Sequence, residues 1–237
     1  MGRLLKACLN GGRSRDAHPA VPVTPAELAA DAARCAALGV AAVHVHPRDA
    51  SGAESLRPAV IADALTAIRA ARPGLPVGVS TGAWIEPDPA ARVAAVRAWS
   101  VLPDFVSVNA HEPGAEAVAA ALHERGVLVE AGLWTLDAVE AYRSWRVPAG
   151  RILVECMAEE VVAALVDASR ILAALPADAP PVLLHAEGPA TWTVLAEAVR
   201  RGLDARIGLE DTLYLPDGSP AADNAALVAA AVAAGAS

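Results

Sequence analysis

Two histidines, His44 and His46, stand one residue apart at the end of an apolar run and just before the turn Pro47-Arg48-Asp49. Side chains at alternate positions of a strand point to the same face, so the two imidazoles would project side by side. Imidazole nitrogen is a common ligand of zinc and other divalent transition metals. The pair predicts part of a metal site. The alternative is two hydrogen-bonded polar residues that bind no metal.

The third ligand is best sought in the segment Arg206-Ile207-Gly208-Leu209-Glu210-Asp211. On a strand, Arg206 and Glu210 would share one face, and Gly208 between them would leave room. Two histidines and one carboxylate leave an open coordination position, which is typical of catalytic zinc, and the same set can hold iron(II). The alternative for Glu210 is an ion pair with Arg206 or Arg48.

Arg206 would lie deeper in the fold than Glu210, and a buried guanidinium needs an acidic partner. Asp211, Glu130 and Glu155 are the available acids. An Arg206–Asp211 pair beside a metal predicts a general base whose pKa is set by its neighbours. The alternative is a structural ion pair that holds the last strand.

Short apolar runs alternate with alanine-rich helical patterns along the whole chain and supply the elements that would position these residues. Strands are predicted at 4–10, 41–46, 76–80, 105–109, 126–131, 151–156, 181–186 and 206–210. Helices are predicted at 25–38, 58–71, 89–98, 114–124, 135–145, 160–174, 190–200 and 221–234. With no linker and no shift in composition, this order predicts a single (β/α)8 barrel over residues 1–237.

An open, doubly wound sheet is the competing architecture for alternating strands and helices. Such sheets often carry a Gly-x-Gly-x-x-Gly turn after the first strand. Here that turn reads Asn10-Gly11-Gly12-Arg13 and lacks the pattern. The barrel is therefore the better prediction.

In a (β/α)8 barrel the active site lies at the carboxyl ends of the strands. Those ends carry polar residues in this chain: Asn10, His44, His46, Ser80, Thr81, Ser107, Asn109, Glu130, Glu155, His185, Glu187, Glu210 and Asp211. Burying that many polar groups without partners would cost several kcal/mol, so a functional mouth is the simpler explanation. His185 is interpreted as a core histidine, and the roles of Glu155 and Glu187 stay open.

Charge and composition exclude several classes of protein. The net charge of −8, without a basic stripe, argues against a nucleic-acid partner. No apolar run reaches the length of a membrane span and no signal peptide is recognisable, so a soluble, cytoplasmic protein is expected. Cys8, Cys35 and Cys156 are expected to be buried, reduced thiols. Alanine-rich outer helices hint at a homo-oligomer, a dimer or a tetramer.

Four stretches of the sequence, in order and spacing, carry a family resemblance. They are Asn10-Gly11 followed by Pro22-Val23-Thr24-Pro25-Ala26-Glu27, then His44 to Asp49, then Ser80-Thr81-Gly82, then Arg206 to Asp211 running into Pro216-Asp217-Gly218 and Asn224. Over nearly its whole length the chain resembles the beta-keto acid cleavage enzymes, whose founding activity is cleavage of 3-keto-5-aminohexanoate.

The resemblance implies a barrel, usually tetrameric, with zinc on His44, His46 and Glu210. It implies that a β-keto acid reacts with acetyl-CoA to give acetoacetate and a new CoA ester. Asp211, poised by Arg206, would remove the proton from the activated carbon. The residues that would line the substrate pocket are Ser80, Ser107, Asn109 and Glu130.

Two departures from the family pattern affect what the resemblance implies. Arg13 stands where the aminohexanoate-cleaving enzyme has a glutamate, which favours a substrate with a carboxylate or neutral tail. The segment Val154-Glu155-Cys156-Met157 replaces a glycine-rich loop after the sixth strand. A metal-dependent retro-aldol lyase or hydrolase that does not use CoA is therefore the second hypothesis. A barrel that binds a keto acid or a metal without turnover is the third.

Overall fold

The computed structural model describes residues 3–236, in which eight parallel strands close into a barrel in chain order. The strands are β1 Leu5–Cys8, β2 Ala42–Val45, β3 Val77–Ser80, β4 Phe105–Asn109, β5 Leu128–Leu133, β6 Arg151–Cys156, β7 Val182–Ala186 and β8 Asp204–Ile207. The helices are α1 Pro25–Ala37, α2 Pro58–Ala71, α3 Pro89–Ala98, α4 Ala115–His123, α5 Leu136–Arg143, α6 Val161–Ala174, α7 Thr191–Arg201 and α8 Asn224–Ala233. The predicted (β/α)8 barrel is confirmed, and residues 1, 2 and 237 of the predicted domain lie outside the described part.

Helix α1 illustrates how local signals set the elements. Thr24 caps its first turn: the side chain accepts from the backbone N–H of Glu27, and the Glu27 carboxylate accepts from the backbone of Thr24. Pro25 occupies the first helical position, where no N–H is needed. After the helix, Gly39 adopts a φ of +93°, a left-handed conformation that favours glycine.

Two strands begin two residues away from where the sequence pattern places them. Strand β5 starts at Leu128 because Gly126, at a φ of +73°, still belongs to the preceding turn. Strand β8 runs over Asp204–Ile207, not 206–210, because the carbonyl of Gly208 accepts hydrogen bonds from Asp211 and Thr212 and closes a turn. Glu210 and Asp211 therefore lie in a turn after β8.

The helices bury small and branched apolar side chains against the outside of the barrel. Helix α1, for example, buries Leu28, Ala32 and Cys35. Alanine lets helices approach the sheet closely, which explains why the alanine-rich pattern tracks the helices. Cys8, Cys35 and Cys156 are all buried and free, as expected. Within residues 3–236, no helix has both the length and the hydrophobicity that crossing a bilayer would require.

A charged cluster lies inside the barrel, near the amino ends of the strands. Lys6 donates to Glu130 at 2.6 Å, and both side chains are fully buried. Arg151 pairs with Glu130 at 2.8 Å and with Asp204 at 3.2 Å. Although burial opposes it, the two cations hold the pKa of Glu130 below its ordinary value. This charged cluster forms the floor beneath the carboxyl-end mouth of the barrel.

Gly208, directly after β8, packs against the backbone of β1. A Cβ built on Gly208 would lie 1.8 Å from the carbonyl oxygen of Cys8, a backbone atom that can move only if the two strands separate. We expect Gly208→Ala to lower the free energy of unfolding by about 3 kcal/mol, measured by urea denaturation. Gly12→Ala is the matched control, since its added Cβ meets only Glu54 at 3.8 Å. Equal stability of the two variants would contradict this prediction.

Candidate active site

The carboxyl ends of the strands surround an open cavity of about 550 Å³. Every strand, or the loop that follows it, contributes to the lining, which consists of Gly11, Gly12, Arg13, His44, His46, Glu54, Ser80, Trp84, Ser107, Asn109, Trp134, Leu153, Glu155, Met157, Glu187, Arg206 and Glu210. Polar groups from distant parts of the chain therefore meet where the barrel architecture predicts an active site.

His44, His46 and Glu210 converge on one side of this cavity. One potential ligand atom from each residue lies within 4.8 Å of the others, and all three residues are buried. The two Nε2 atoms are 3.1 Å apart, close to the separation of two nitrogens that both bind zinc at about 2.0–2.1 Å. Glu210 Oε2 lies 3.7 Å from His46 Nε2 and has no hydrogen-bond partner among the described residues. These donors fit a metal ion.

The protonation states of the two histidines differ because their neighbours differ. Burial lowers the pKa of His44 well below its ordinary value, and His46 and Lys6 add to the effect, so His44 is a neutral imidazole. Burial also disfavours the charged form of His46, but the carboxylates of Glu210 and Glu54 outweigh it and raise its pKa. A metal cation between His46 and Glu210 would take the place of that proton.

Glu54 orients His46 through the ring nitrogen that does not face His44. Its Oε1 contacts His46 Nδ1, which assigns the ring proton to Nδ1 and leaves Nε2 with a free lone pair. Asn10 holds the backbone of His46: its side-chain amide accepts from the N–H of His46 and donates to the carbonyl of His46, both at 2.9 Å. Glu54 is not among the residues predicted from the sequence, because a single glutamate in the loop after β2 has no distinguishing pattern.

We expect Glu54→Gln to weaken zinc binding by about 10- to 100-fold, because the ring of His46 loses the carboxylate that fixes its tautomer. Competition with a colorimetric zinc chelator would measure the affinity. Glu86→Gln, a neighbouring acid outside the cavity lining, serves as control. An unchanged dissociation constant in Glu54→Gln would show that His46 does not depend on this contact.

Arg206, on β8, contacts three acidic side chains. Its Nη2 lies 2.7 Å from Asp211, 3.1 Å from Glu210 and 4.0 Å from Glu155. Asp211 is fully buried, does not line the cavity, and has no hydrogen-bond partner for its Oδ2 among the described residues. Burial raises the pKa of Asp211 well above its ordinary value, while the guanidinium of Arg206 opposes the rise. Arg206 itself faces the cavity.

The residues predicted to contact a substrate divide into two groups. Arg13, Ser80, Ser107 and Asn109 line the cavity. Arg13 donates through Nε to the backbone carbonyl of Glu210 at 3.1 Å, which holds its side chain next to Glu210. Glu130 does not line the cavity, because Lys6 and Arg151 hold it in the charged floor.

Hydrogen bonds below the cavity orient two of the lining side chains. The hydroxyl of Ser107 donates to Glu130 Oε2 at 3.3 Å. The amide of Asn109 donates to Glu112 at 2.9 Å, and Glu112 is in turn paired with Arg92 at 2.8 Å. The lining therefore rests on buried ion pairs that keep these polar groups in fixed positions.

Aromatic rings form one wall of the cavity. Trp84 stacks on His46 with ring centroids 6.4 Å apart and an interplanar angle of 14°, although half of its surface (51%) is exposed. Trp84 also lies 6.5 Å from Trp134, which lies 4.7 Å from His111. Trp84 lies in the loop after β3, and His111 lies in the loop after β4. These rings place an apolar surface beside His46.

Two glutamates face the cavity from β6 and the loop after β7. Glu155 lies 3.5 Å from His185, measured from Oε2 to Nε2, and burial raises its pKa to about 7. Burial also raises the pKa of Glu187. The ring of His185 is buried, has no hydrogen-bond partner among the described residues, and is kept neutral because burial lowers its pKa.

Comparisons with known proteins give one family match and several structural matches. The sequence model of the beta-keto acid cleavage enzyme family matches residues 4–237. None of the curated proteins compared with the chain matches it. A binary complex of ObcA with oxaloacetate superposes with a TM-score of 0.70 at 15% identity, over 89% of this chain and 62% of that chain. The chain thus spans less than two thirds of the ObcA chain.

Other solved structures share the barrel. The 3-dehydroquinate dehydratase from Geobacillus kaustophilus superposes with a TM-score of 0.64 at 13% identity, over 93% of this chain and 87% of that chain. A native KDPGal structure gives a TM-score of 0.58 at 22% identity, over 97% and 93% of the two chains. At these identities the likeness shows a common fold only.

Proposed function

Because the chain belongs to the beta-keto acid cleavage enzyme family, we propose that it breaks a carbon–carbon bond of a β-keto acid at a metal ion held by His44, His46 and Glu210. The observation that carries the proposal is the convergence of these three buried donors in a cavity that also presents Arg13 and Arg206. A β-keto acid offers a keto oxygen and a carboxylate oxygen to a metal, and a negative charge to a guanidinium. The lining therefore provides a partner for both its keto group and its carboxylate.

Zinc is the proposed ion, since two imidazoles and one carboxylate with an open position suit it, and iron(II) is accommodated by the same donors. When bound, the ion supplies Lewis-acid polarisation of the keto oxygen. Arg13 and Arg206 attract the substrate carboxylate, while Ser80, Ser107 and Asn109 supply hydrogen bonds along the lining. Trp84 supplies an apolar surface beside the reacting carbons.

Asp211 is the proposed base, with Arg206 as the residue that positions it. Asp211 lies behind Arg206 and outside the cavity lining, so we propose that one water molecule relays the substrate proton to Oδ2, the oxygen without a partner. The raised pKa that burial gives this carboxylate makes it a stronger base than an exposed aspartate. The guanidinium of Arg206 holds Oδ1 and keeps Oδ2 pointing away from itself.

Acetyl-CoA is the proposed co-substrate, as the family resemblance implies, and the products are then acetoacetate and a CoA ester. A second candidate, cleavage by water without CoA, is favoured by one observation. The side of the cavity formed by β6 and the β7 loop presents Glu155 and Glu187 and lacks a glycine-rich loop, a poor match for the anionic CoA. Arg13 favours a keto acid whose tail carries a carboxylate or no charge.

A panel of β-keto acids, incubated with the zinc-loaded protein with and without acetyl-CoA, tests the proposal. Acetoacetate and a new CoA ester, formed only when acetyl-CoA is present, would support the acyl transfer. Substrate loss at equal rates in both conditions would support the hydrolytic candidate. A stoichiometrically zinc-loaded protein that consumes no β-keto acid in either condition would refute the proposed function.

A further inference from the structure

Glu155 faces the metal cluster from the opposite side of the barrel. Strands β2 and β6 are four positions apart in the closed ring of eight, so side chains at their carboxyl ends meet across the cavity. Glu155 lines that cavity and is only 7% exposed. Leu153 and Met157, two residues before and after it, line the same cavity, so apolar side chains flank the carboxyl group.

The charges around Glu155 leave its carboxylate poorly compensated. Among residues 3–236, Arg206 Nη2 is the guanidinium nitrogen within ion-pair distance of Glu155, and it lies 4.0 Å away with closer partners in Asp211 and Glu210. Glu187 and Glu210 add negative charge from the β7 and β8 loops. Three carboxylates around one cation cannot all be ionised without cost, and Glu155, the most distant of them, gains the least from the guanidinium.

His185, packed against Glu155 from β7, does not supply the missing positive charge. Its Nε2 lies 3.5 Å from Glu155 Oε2, and Arg206 and Lys6 both disfavour a charged imidazole at this position. The imidazole of His185 is thus neutral and gives the Glu155 carboxylate no positive charge. Burial, with little compensation, raises the pKa of Glu155 to about 7, so a large share of the side chain is a carboxylic acid at neutral pH.

We propose that Glu155 is the proton donor that completes carbon–carbon cleavage in this enzyme. The inference rests on the proposed function. With acetyl-CoA, the carbanion left by proton loss to Asp211 first takes the acetyl group and releases CoA thiolate, and the thiolate then adds to the keto carbon. Without CoA, water adds to the keto carbon and gives its proton to Asp211. In both routes the bond from the keto carbon to the carbon beside the carboxylate then breaks. The electron pair stays on the departing carbon. The O–H bond of Glu155 then breaks, a C–H bond forms, and the Glu155 carboxylate regains a proton from water.

This assignment gives the two sides of the cavity separate roles. Asp211, behind the metal cluster, accepts a proton early in the reaction, and Glu155, across the cavity, delivers one at the end. The same proton is needed whether CoA or water is the nucleophile, so the role of Glu155 does not depend on the choice of co-substrate.

Glu155→Gln, Glu155→Asp and the control Glu159→Gln, an exposed glutamate four residues along the chain, test the role. With the β-keto acid that the wild type cleaves fastest as substrate, we expect Glu155→Gln to lower kcat by about 10²-fold or more. The wild-type kcat should fall as pH rises through the pKa of Glu155, and this alkaline limb should be absent in Glu155→Gln. Compared with Glu155→Gln, Glu155→Asp should recover part of kcat and the alkaline limb of the pH profile.

Infrared spectra of the substrate-free proteins provide a readout that does not need turnover. The carbonyl band of a protonated carboxylic acid should disappear as pH rises through 7 in the wild type and in Glu159→Gln. In Glu155→Gln that component should be missing at every pH, while zinc content stays at the wild-type level and so excludes a folding defect.

The outcomes separate the two proposals. An unchanged kcat with an unchanged alkaline limb in Glu155→Gln would overturn the proton-donor role and leave the proposed function intact. A wild-type protein that cleaves no β-keto acid would overturn both. Loss of kcat in Glu155→Gln with the infrared band still present would also overturn the role, because the acid would then be another group.

Discussion

Glu210→Gln should yield a folded protein that has lost its metal ion and nearly all of its β-keto acid cleavage. The amide oxygen of glutamine is a much weaker ligand than a carboxylate, and the negative charge that balances the cation disappears. Loss of Lewis-acid stabilisation worth about 4 kcal/mol corresponds to a decrease in kcat/KM on the order of 10³-fold. Elemental analysis of the purified protein and steady-state kinetics would measure the two effects.

The surface variant Glu124→Gln is a matched control for Glu210→Gln, because its side chain is exposed and pairs with the exposed Arg97. We expect it to keep the wild-type zinc content and activity. Glu210 also contacts Arg206 at 3.1 Å, so thermal unfolding of Glu210→Gln must be compared with that of the wild type without zinc. Full zinc occupancy in Glu210→Gln would remove this glutamate from the ligand set.

Lys6→Met should destabilise the barrel more than any surface substitution. Lys6 and Glu130 are fully buried and 2.6 Å apart, so methionine would leave a buried carboxylate with Arg151 as its remaining cation. Removing one partner of a buried ion pair typically costs about 3–5 kcal/mol. Urea denaturation followed by circular dichroism would measure the loss.

The double variant Lys6→Met/Glu130→Gln isolates the charge from the lost packing of the lysine. Since glutamine carries no charge, we expect the double variant to be more stable than Lys6→Met alone. In the wild type, the lowered pKa of Glu130 contributes stability that is present above the pKa of an unfolded glutamate and is lost as pH falls through the folded value. Two equally unstable variants would show that packing, not charge, dominates at this position.

Much of the fold was readable from local patterns. Each helix in the described residues overlaps a segment predicted from alanine-rich periodicity, and α1 begins at Pro25, the predicted first residue. The starts of β5 and β8 are misplaced by two residues beside Gly126 and Gly208, which belong to turns. Strand β1 also ends at Cys8, not at residue 10, and α8 begins at Asn224, not at residue 221. Apolar periodicity cannot separate a strand end from an adjoining tight turn, because both contain alternating buried residues.

The candidate site was only partly readable. The convergence of His44 and His46 with Glu210 follows from strand order, because β2 and β8 are both neighbours of β1 in the closed ring. The position of Glu130 in the charged floor could not be predicted. With β5 predicted two residues too early, Glu130 was placed at the carboxyl end of the strand, whereas in the structure it is the third residue of β5. Glu54 carried no signal at all.

The sequence by itself determined the order of the elements, the paired imidazoles and the acid that follows Gly208, because these depend on periodicity and on spacing along the chain. Only the tertiary structure decided which carboxylates are free and which are neutralised. Arg206 holds Asp211 and Glu210 but leaves Glu155 at 4.0 Å, and Lys6 withdraws Glu130 from the cavity. Ionisation depends on distances between strands far apart in sequence and on burial, and neither can be read from local pattern.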